Sequence, residues 1–398
     1  MAPFLKYKLR GHFAMSMSEK IKEQYKKKVI SVEDALKKIK SHSKIVSGLA
    51  AAEPKRLLQN LYSIKDRVED VAIYTCLPMG NYDWFSKPDA EGHFVHNGWF
   101  FTPLLRKAPQ VINSYVPNHL HWAAGDNLLN VSERGQFIYA GIATPPDKNG
   151  YMSLSLSATY EVEMVENADL VILEVSDKFP KTFGDVMIHM SQVDHIIEVD
   201  YEAPEIPIAP TNEKDIKMAE YIMPYIENGS TLQLGIGGVP NAVGKSLAKL
   251  KDIGIHTEML TEGMVDLFEA GIINGAKKTL LPYKMVTAFV LGTKKLYEFV
   301  HENPGVAVMR GSWVNDPYVI AQNYKQISIN ASVEVDLTGQ VCSESVGPKQ
   351  ISGTGGQSDT ALGAQMSNGG KSFITLYSTA SIKDASGQKQ NVSKIVPM

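Results

Sequence analysis

Cysteine is scarce: the chain of 398 residues has two, Cys76 and Cys342, far apart and outside any paired motif. That excludes a disulfide framework and a cysteine-based zinc site, and it suits a reducing compartment. Long hydrophobic runs are missing as well. No apolar stretch approaches the ~20 residues of a membrane span, so no membrane partner is expected. Nor is there an excess of positive charge. The net charge is −3, which predicts no general affinity for polyanions and makes nucleic acid a poor partner. What is present is an ordinary globular composition, 44% hydrophobic and 21% charged. The length accommodates two or three domains.

The first residues, MAPFLKYKLRGHFAMSMSEKIKEQYKKK, are basic, with no acid before Glu19. A transit peptide has this character, and so does an exposed chain start; the apolar stretch is too short for a secretory signal. The expectation is an exposed N-terminus on a cytoplasmic enzyme, with an organelle as the alternative and a start at Met15 or Met17 as a further option.

Helical and strand patterns alternate along the chain. Ser31 stands where an N-cap would, ahead of the helical run in ISVEDALKKIKS, and KIVSGLAA reads as a strand entering a small-residue turn. FIYAGIATPPD and ADLVILEVSD are short β-branched runs that end in turn residues. Residues 196–215 carry Pro204, Pro207 and Pro210 among several acids, with no helical period until Lys214, and form the best candidate linker. A helix over 214–227, the strand TLQLGIG and a helix from Asn241 follow. Alternating elements of this kind predict an α/β protein with parallel, doubly wound sheets, one in each half. IATPPDKNGYMSLS and ASVEVDLTGQVCSES each set an Asp-x-x-Gly turn between β-rich flanks, the mark of a duplicated domain or of coincidence.

TLQLGIGGVPNAVGKSLAKL follows a strand and opens a helix, where phosphates are held. As a dinucleotide fingerprint it has Gly235 and Gly237, but Pro240 at the third glycine position. As a phosphate-binding loop it has five residues between Gly238 and Gly244 where the motif has four. Two readings stay open: a tight turn of small residues, or backbone N–H groups around an extended anionic ligand. A second cluster, SGTGGQSDTALGAQ, begins at Ser352. Gly353, Gly355 and Gly356 cannot build a core and carry a large entropic cost. Such a stretch is either a flexible surface loop or a backbone that closely approaches something, as converging N–H donors do in an oxyanion hole.

His93, His96, His119 and His121, in HFVH and HLH, could together supply zinc ligands. Their aromatic and apolar flanks, and the lack of an HExxH motif, favour structural histidines, so no metal is expected. GIHTEMLTEGMVDLFEAG, from residue 254, gathers four acids. Met264, Val265, Leu267 and Phe268 make an apolar helical stripe, with Glu262, Asp266 and Glu269 opposite it as a solvated face. Glu258 differs. It precedes the helical pattern and follows the alternating Ile253 and Ile255, in the turn leaving the carboxyl end of a strand, where open α/β sheets place ligands.

GIGGVP, GIHTEMLTEGMVDLFEAG, NASVEVDLTGQV and ISGTGGQSD, in this order and spacing, resemble the acetyl-CoA hydrolase/transferase family of class I CoA-transferases. The similarity is to the branch of butyryl-CoA:acetate and 4-hydroxybutyrate CoA-transferases; it runs from about residue 20 to the end and includes GIATPPDKNGYMSLS and FGDVMIHMSQVD. The resemblance implies two CoA-transferase-type domains, residues 1–205 and 216–398, each a mainly parallel sheet with flanking helices. It implies that Glu258 is the nucleophile and that Gly235, Ile236, Gly237, Gly238 and Val239 form the CoA-binding glycine loop. By the same resemblance Gly356 lends its backbone to the acyl or CoA carbonyl, Asn330 lies on a segment approaching CoA, and Lys371 pairs with CoA phosphates. Thr360 stands where the family's GGQxDF has phenylalanine, which alters the pocket wall. Chains of the family continue past SKIVP with a VTEYG-like segment that brings a further glutamate to the site. This sequence stops at SKIVPM, so a truncated C-terminus with apolar surface exposed on the second domain is expected.

The activity implied is transfer of CoA from a short-chain acyl-CoA, such as butyryl- or 4-hydroxybutyryl-CoA, to acetate by a ping-pong route through a thioester on Glu258. Coenzyme A and acyl-CoA are then substrates, short-chain carboxylates are the partners, and no permanent cofactor, metal or ATP takes part. A homo-oligomer is expected. The alternatives are an acyl-CoA hydrolase using the same glutamate and a non-catalytic CoA-binding protein.

Overall fold

The computed structural model describes residues 18–125, 135–207, 210–383 and 386–397, so the basic start with Met15 and Met17 lies outside the described residues. Two parallel sheets dominate it. The first contains β1 (Lys44–Ser47), β2 (Val71–Cys76), β3 (Phe94–Phe100), β4 (Asn113–Tyr115), β5 (Phe137–Ala143), β6 (Leu170–Val175) and β7 (His195–Glu198), in the order β4-β3-β2-β1-β5-β6-β7. The second contains β8 (Thr231–Leu234), β9 (Gly254–Leu260), β10 (Met285–Val290), β11 (Val306–Val308), β12 (Gln326–Ala331) and β13 (Lys371–Thr375), in the order β11-β10-β9-β8-β12-β13. Strands such as FIYAGIA, LVILEV and MVTAFV are buried at every residue. A sheet covered on both faces demands such continuous apolar runs.

The two sheets repeat one topology. Each begins at a central strand, adds three strands to one side, and then crosses to the other side of the first strand. The reversals fall between β1 and β5 and between β8 and β12, where a doubly wound sheet opens a crevice at its carboxyl edge. The registers agree: Lys44 pairs with Ala72 and Phe137, and Thr231 pairs with Gly254 and Gln326. Gly48 N–H donates to Ala140 O at 2.9 Å and Gly235 N–H to Ile329 O at 2.8 Å. Laid on one another in this register, Asp147 falls on Asp336. Both turns have the same structure. Asp147 Oδ1 accepts from Asn149 and Tyr151 N–H at 2.9 and 3.0 Å, and Asp336 Oδ1 from Thr338 and Gln340 N–H at 2.8 and 2.9 Å. Gly150 and Gly339 complete them at φ 89° and 91°, left-handed values that favour glycine. The repeated Asp-x-x-Gly pattern is architectural.

Several boundaries shift from the expectation. Ser31 caps α1 (Val32–Lys37) as its position predicts, its Oγ accepting from Asp34 N–H at 3.1 Å. Residues 196–198, placed in the linker, belong instead to β7, because the buried Ile196 and Ile197 extend the first sheet. α2 (Glu213–Ile222) ends well before residue 227, with Pro224 already in a following tighter turn. α3 (Gly238–Ser246) starts ahead of Asn241, since Pro240 is tolerated in a first helical turn. β9 runs through Glu258 to the buried Met259 and Leu260, so Glu258 lies within the strand rather than in a turn beyond it. In α4 (Glu262–Glu269), Met264, Val265 and Leu267 are buried, but Phe268 is exposed and rests edge-on against Phe299. Asp266 and Glu269 face Lys295 at 2.5 and 3.3 Å, and Glu262 accepts from Thr293, as a polar face would.

The segment from Ile351 to Gly355 is stitched to the first half of the molecule. Arg106 Nε donates to Ile351 O at 2.7 Å and Phe101 N–H to Ser352 O at 3.0 Å; Thr354 N–H donates to Tyr115 Oη at 3.0 Å. A Cβ on Gly353 would collide with the carbonyl of Trp99. The second glycine cluster is therefore a close-approach segment and not a free surface loop. No helix among the described residues is long and apolar enough to cross a membrane.

Candidate active site

Side chains alternate along a strand, so Gly254, His256 and Glu258 share one face of β9. His256 is buried, and its Nε2–H donates to Val314 O at 2.8 Å. That bond pins the end of α5 (Gly311–Val314) against the strand and turns the next residue toward Glu258. Asn315 Nδ2 donates to Glu258 Oε2 at 2.9 Å. A second polar group arrives from the glycine cluster: the Gly356 N–H, at the start of α6 (Gln357–Met366), lies beside the same carboxylate and favours its charged form. A Cβ on Gly356 would collide with the Glu258 carboxylate and the Asn315 amide, so only glycine allows this approach.

The carboxyl of Glu258 is pushed up to about 7, chiefly by burial; the Asn315 amide opposes the rise, the nearby Asp359 charge adds to it, and the Gly356 N–H opposes it. Burial disfavours the charged form of such a carboxyl, and perturbed acids in clefts are where chemistry concentrates.

Across the seam from Glu258 lies the carboxyl end of β2. In the shared register of the two sheets, IYTC of β2 falls on IHTE of β9, and Cys76 takes the position of Glu258. Cys76, Trp99, Asn118, Leu120, Ala123 and Gly355 line a cavity of about 10 Å³, room for one water. Burial, with the Glu258 and Glu161 charges beside it, raises the Cys76 thiol far above its ordinary range. It is a wall of the cavity and not a thiolate.

The first glycine loop crosses from β8 to α3 at the same carboxyl edge. Gly237 has φ 136°, which favours glycine, and Ile236 is exposed. Packing fixes two other members: a Cβ on Gly235 would stand 2.7 Å from Asn330 Oδ1, and one on Gly238 would collide with the Asp215 carboxylate. Val239 is buried behind them. The tight-turn reading thus accounts for Gly235 and Gly238. Asn330 supports the loop from below. Its Nδ2 donates to Gln233 Oε1, Ser328 Oγ and Thr360 Oγ1 at 3.1, 3.0 and 3.2 Å, and its Oδ1 accepts from Gln233 Nε2 at 3.1 Å. Thr360, in the place of a phenylalanine, puts a hydroxyl into this buried network rather than a ring into a pocket wall.

Lys371 is not brought to the group. It opens β13 opposite Ile327, at the amino end of the sheet, and its Nζ donates to Gly369 O at 3.4 Å. The histidines also stay apart. His96 bonds to Thr75 and Asn113 at 2.8 Å each and His93 to Val68 O at 2.9 Å, whereas His119 and His121 face Asp359. Among the described residues no group of three His, Cys, Asp or Glu side chains is arranged to hold a metal ion.

Sequence reasoning missed Asn315 and Asp359. Nothing local marks an asparagine in GSWVNDP, 57 residues from its partner. Asp359 lies inside ISGTGGQSD and carried a signal, an acid closing a run of glycines.

The pattern of the acetyl-CoA hydrolase/transferase N-terminal domain matches residues 14–210, and that of the C-terminal domain residues 292–398. A 4-hydroxybutyrate coenzyme A transferase of Clostridium kluyveri is 40% identical over 382 residues, spanning 94% of this chain and 86% of that one. A butyryl-CoA:acetate CoA-transferase of Anaerostipes caccae is 36% identical, spanning 94% and 84%. A crystal structure of a 4-hydroxybutyrate CoA-transferase from Porphyromonas gingivalis superposes with a TM-score of 0.78 at 32% identity, over 95% of this chain and 86% of that one. Matched over nearly its whole length in sequence and in fold, the chain belongs to the acetyl-CoA hydrolase/transferase family.

Proposed function

We propose that this protein moves CoA from a short-chain acyl-CoA, of the butyryl or 4-hydroxybutyryl kind, to acetate, through a thioester on Glu258. The observation that carries the proposal is the Glu258 carboxylate at a seam between the two sheets, met by an amide donor and a backbone donor in a spot where only glycine fits.

The chemistry balances without a metal or nucleotide. A Glu258 oxygen attacks the thioester carbonyl; the C–S bond breaks, CoA leaves as a thiolate, and an acyl-glutamyl anhydride forms. The thiolate attacks the glutamyl carbonyl, the anhydride C–O bond breaks, and the free acid departs, leaving glutamyl-CoA. Acetate then runs these steps in reverse and leaves as acetyl-CoA. At each addition the negative charge develops on a carbonyl oxygen, and the Gly356 N–H is placed to receive it; one such donor is worth about 3 kcal/mol. Gly235 to Val239 form the loop against which the CoA moiety packs, with Asn330 holding that loop rather than reaching the ligand. Lys371 stands outside the proposed site.

The acyl end enters the cavity beside Gly355. At about 10 Å³ it holds one water, so a short acyl chain enters only as the wall moves. A methylene is worth only ~1–3 kcal/mol in an apolar pocket, so several short acids are accepted. The free Cys76 and Cys342 fit a cytoplasmic setting.

A rate assay with and without acetate tests the function. Acetate-dependent exchange of CoA supports the transferase. Acetate-independent thiol release would make the protein a hydrolase, and binding without turnover would make it a CoA-binding protein.

A further inference from the structure

Asp359 lies in the first turn of α6, one turn beyond Gly356, and its carboxylate is buried. Both of its oxygens are taken by the first half of the molecule. His121 N–H donates to Oδ2 at 3.2 Å, and His121 Nδ1–H donates to Oδ1 at 2.9 Å. His119 Nδ1 stands 3.4 Å from the same Oδ1. One residue before His121 in the same short turn, Leu120 N–H donates to Gly355 O at 3.1 Å. The turn therefore grips the chain on both sides of Gly356.

That grip has a purpose a packing contact would not need. Gly356 offers Glu258 a backbone N–H, and a backbone N–H is aimed only by the peptide that carries it. The segment before it, with Gly353 and Gly355, has little stiffness of its own, and Gly355 sits at φ 53°. Two His121 donors need two acceptor oxygens, which a carboxylate supplies and a neutral amide does not, and this one stands beside another carboxylate. The titratable groups around Glu258 are Asp359 on α6, Cys76 on β2 and, behind Asp359, His119 and His121 from the first half. Of these, Asp359 adds to the rise of the Glu258 carboxyl, as a like charge does.

We propose that Asp359 and His121 act as one positioning unit: the histidine's hold on the carboxylate fixes the helix turn that aims the Gly356 N–H at Glu258, and the carboxylate sets a second negative charge beside the nucleophile. Neither side chain touches the reacting atoms. The unit lets the first half of the molecule govern the reactivity of a glutamate carried by the second. It rests on Glu258 being the nucleophile.

The experiment compares wild type, Asp359→Asn, His121→Gln and the double variant in acyl-CoA:acetate exchange, recording kcat and KM across the acid range. Asparagine keeps one of the two acceptors that His121 uses and removes the charge, so the acid limb of kcat/KM moves to lower pH, by about half a unit or more. His121→Gln loosens the grip. Its kcat falls about tenfold while KM for acyl-CoA stays within about twofold, because the long CoA handle binds elsewhere. The double variant is no slower than the slower single variant, since one unit is lost once. An unmoved acid limb in Asp359→Asn, losses that multiply, or a folded His121→Gln with wild-type kcat overturns the proposal. Thermal melting of each variant establishes folding, and should Asp359→Asn fail to fold, the kcat-against-KM split in His121→Gln decides alone. Activity in Glu258→Gln would defeat the nucleophile assignment itself; an inactive Glu258→Gln with an unmoved Asp359→Asn limb defeats only the positioning unit.

Discussion

Asn315 gives one amide hydrogen to Glu258 Oε2 at 2.9 Å, while its own Oδ1 is buried without a partner among the described residues. An amide placed at that expense serves the carboxylate and not itself. Because the bond favours the charged form of Glu258, removing it raises the carboxyl further. Asn315→Ala should move the acid limb of kcat/KM to higher pH, opposite to Asp359→Asn, with a fall in kcat of about tenfold or more. A limb that stays in place would show that Asn315 merely fills space.

The raised carboxyl also bears on stability. Its unfolded value is near 4.5 and its folded value about 7. Between these the native state binds more protons than the unfolded state, so stability falls as pH rises through this window. Glu258→Gln removes that penalty. It should melt above wild type at about pH 8, by about 3 kcal/mol or a few degrees, and the difference should narrow to about 1 kcal/mol at about pH 5. An equal gap at both pH values would mean the glutamate is not perturbed.

Gly356→Ala tests the close approach. Its Cβ collides with the Glu258 carboxylate and the Asn315 amide, so the carboxylate must rotate away from its neighbours. We expect kcat to fall about a hundredfold or more, with CoA binding by calorimetry nearly unchanged. Gly355→Ala, next to it, strains the backbone at φ 53° but meets no carboxylate, and should retain more activity.

Cys76 is expected to govern chain length. The side chain lines the small cavity beside Gly355, and its removal enlarges it. Cys76→Ala should raise kcat/KM for hexanoyl-CoA relative to butyryl-CoA by about tenfold, the scale of one or two methylenes. An unchanged ratio would place the acyl chain elsewhere.

Much of this was legible in the residues because it is local. The two sheets follow from alternating runs, and the polar face of α4 follows from helical period. The glycine clusters announce their entropic cost, but not what they approach: the Trp99 carbonyl and the Glu258 carboxylate come from far along the chain. Met259 and Leu260 read equally well as the end of a strand or the start of a helical stripe, which hid the true length of β9. Lys371 shows a different limit. Strand polarity in a parallel sheet carries it to the amino end, away from the glycine loops, and a motif cannot reveal which end of a strand a residue occupies. Asn315 and the His121–Asp359 pair exist as site features only because distant segments meet.

The most direct measurement is the covalent intermediate. Enzyme incubated with butyryl-CoA and no acceptor carboxylate should release butyrate and hold CoA as a thioester, found by peptide mass spectrometry on the segment containing Glu258. Borohydride should reduce that thioester and inactivate the enzyme, while enzyme never exposed to acyl-CoA should be unaffected. Glu258→Gln should bind CoA but form no adduct, and Glu262→Gln and Glu269→Gln, on the polar face of α4, should form it as wild type does. An adduct on any other residue, or full exchange activity in Glu258→Gln, would contradict the account.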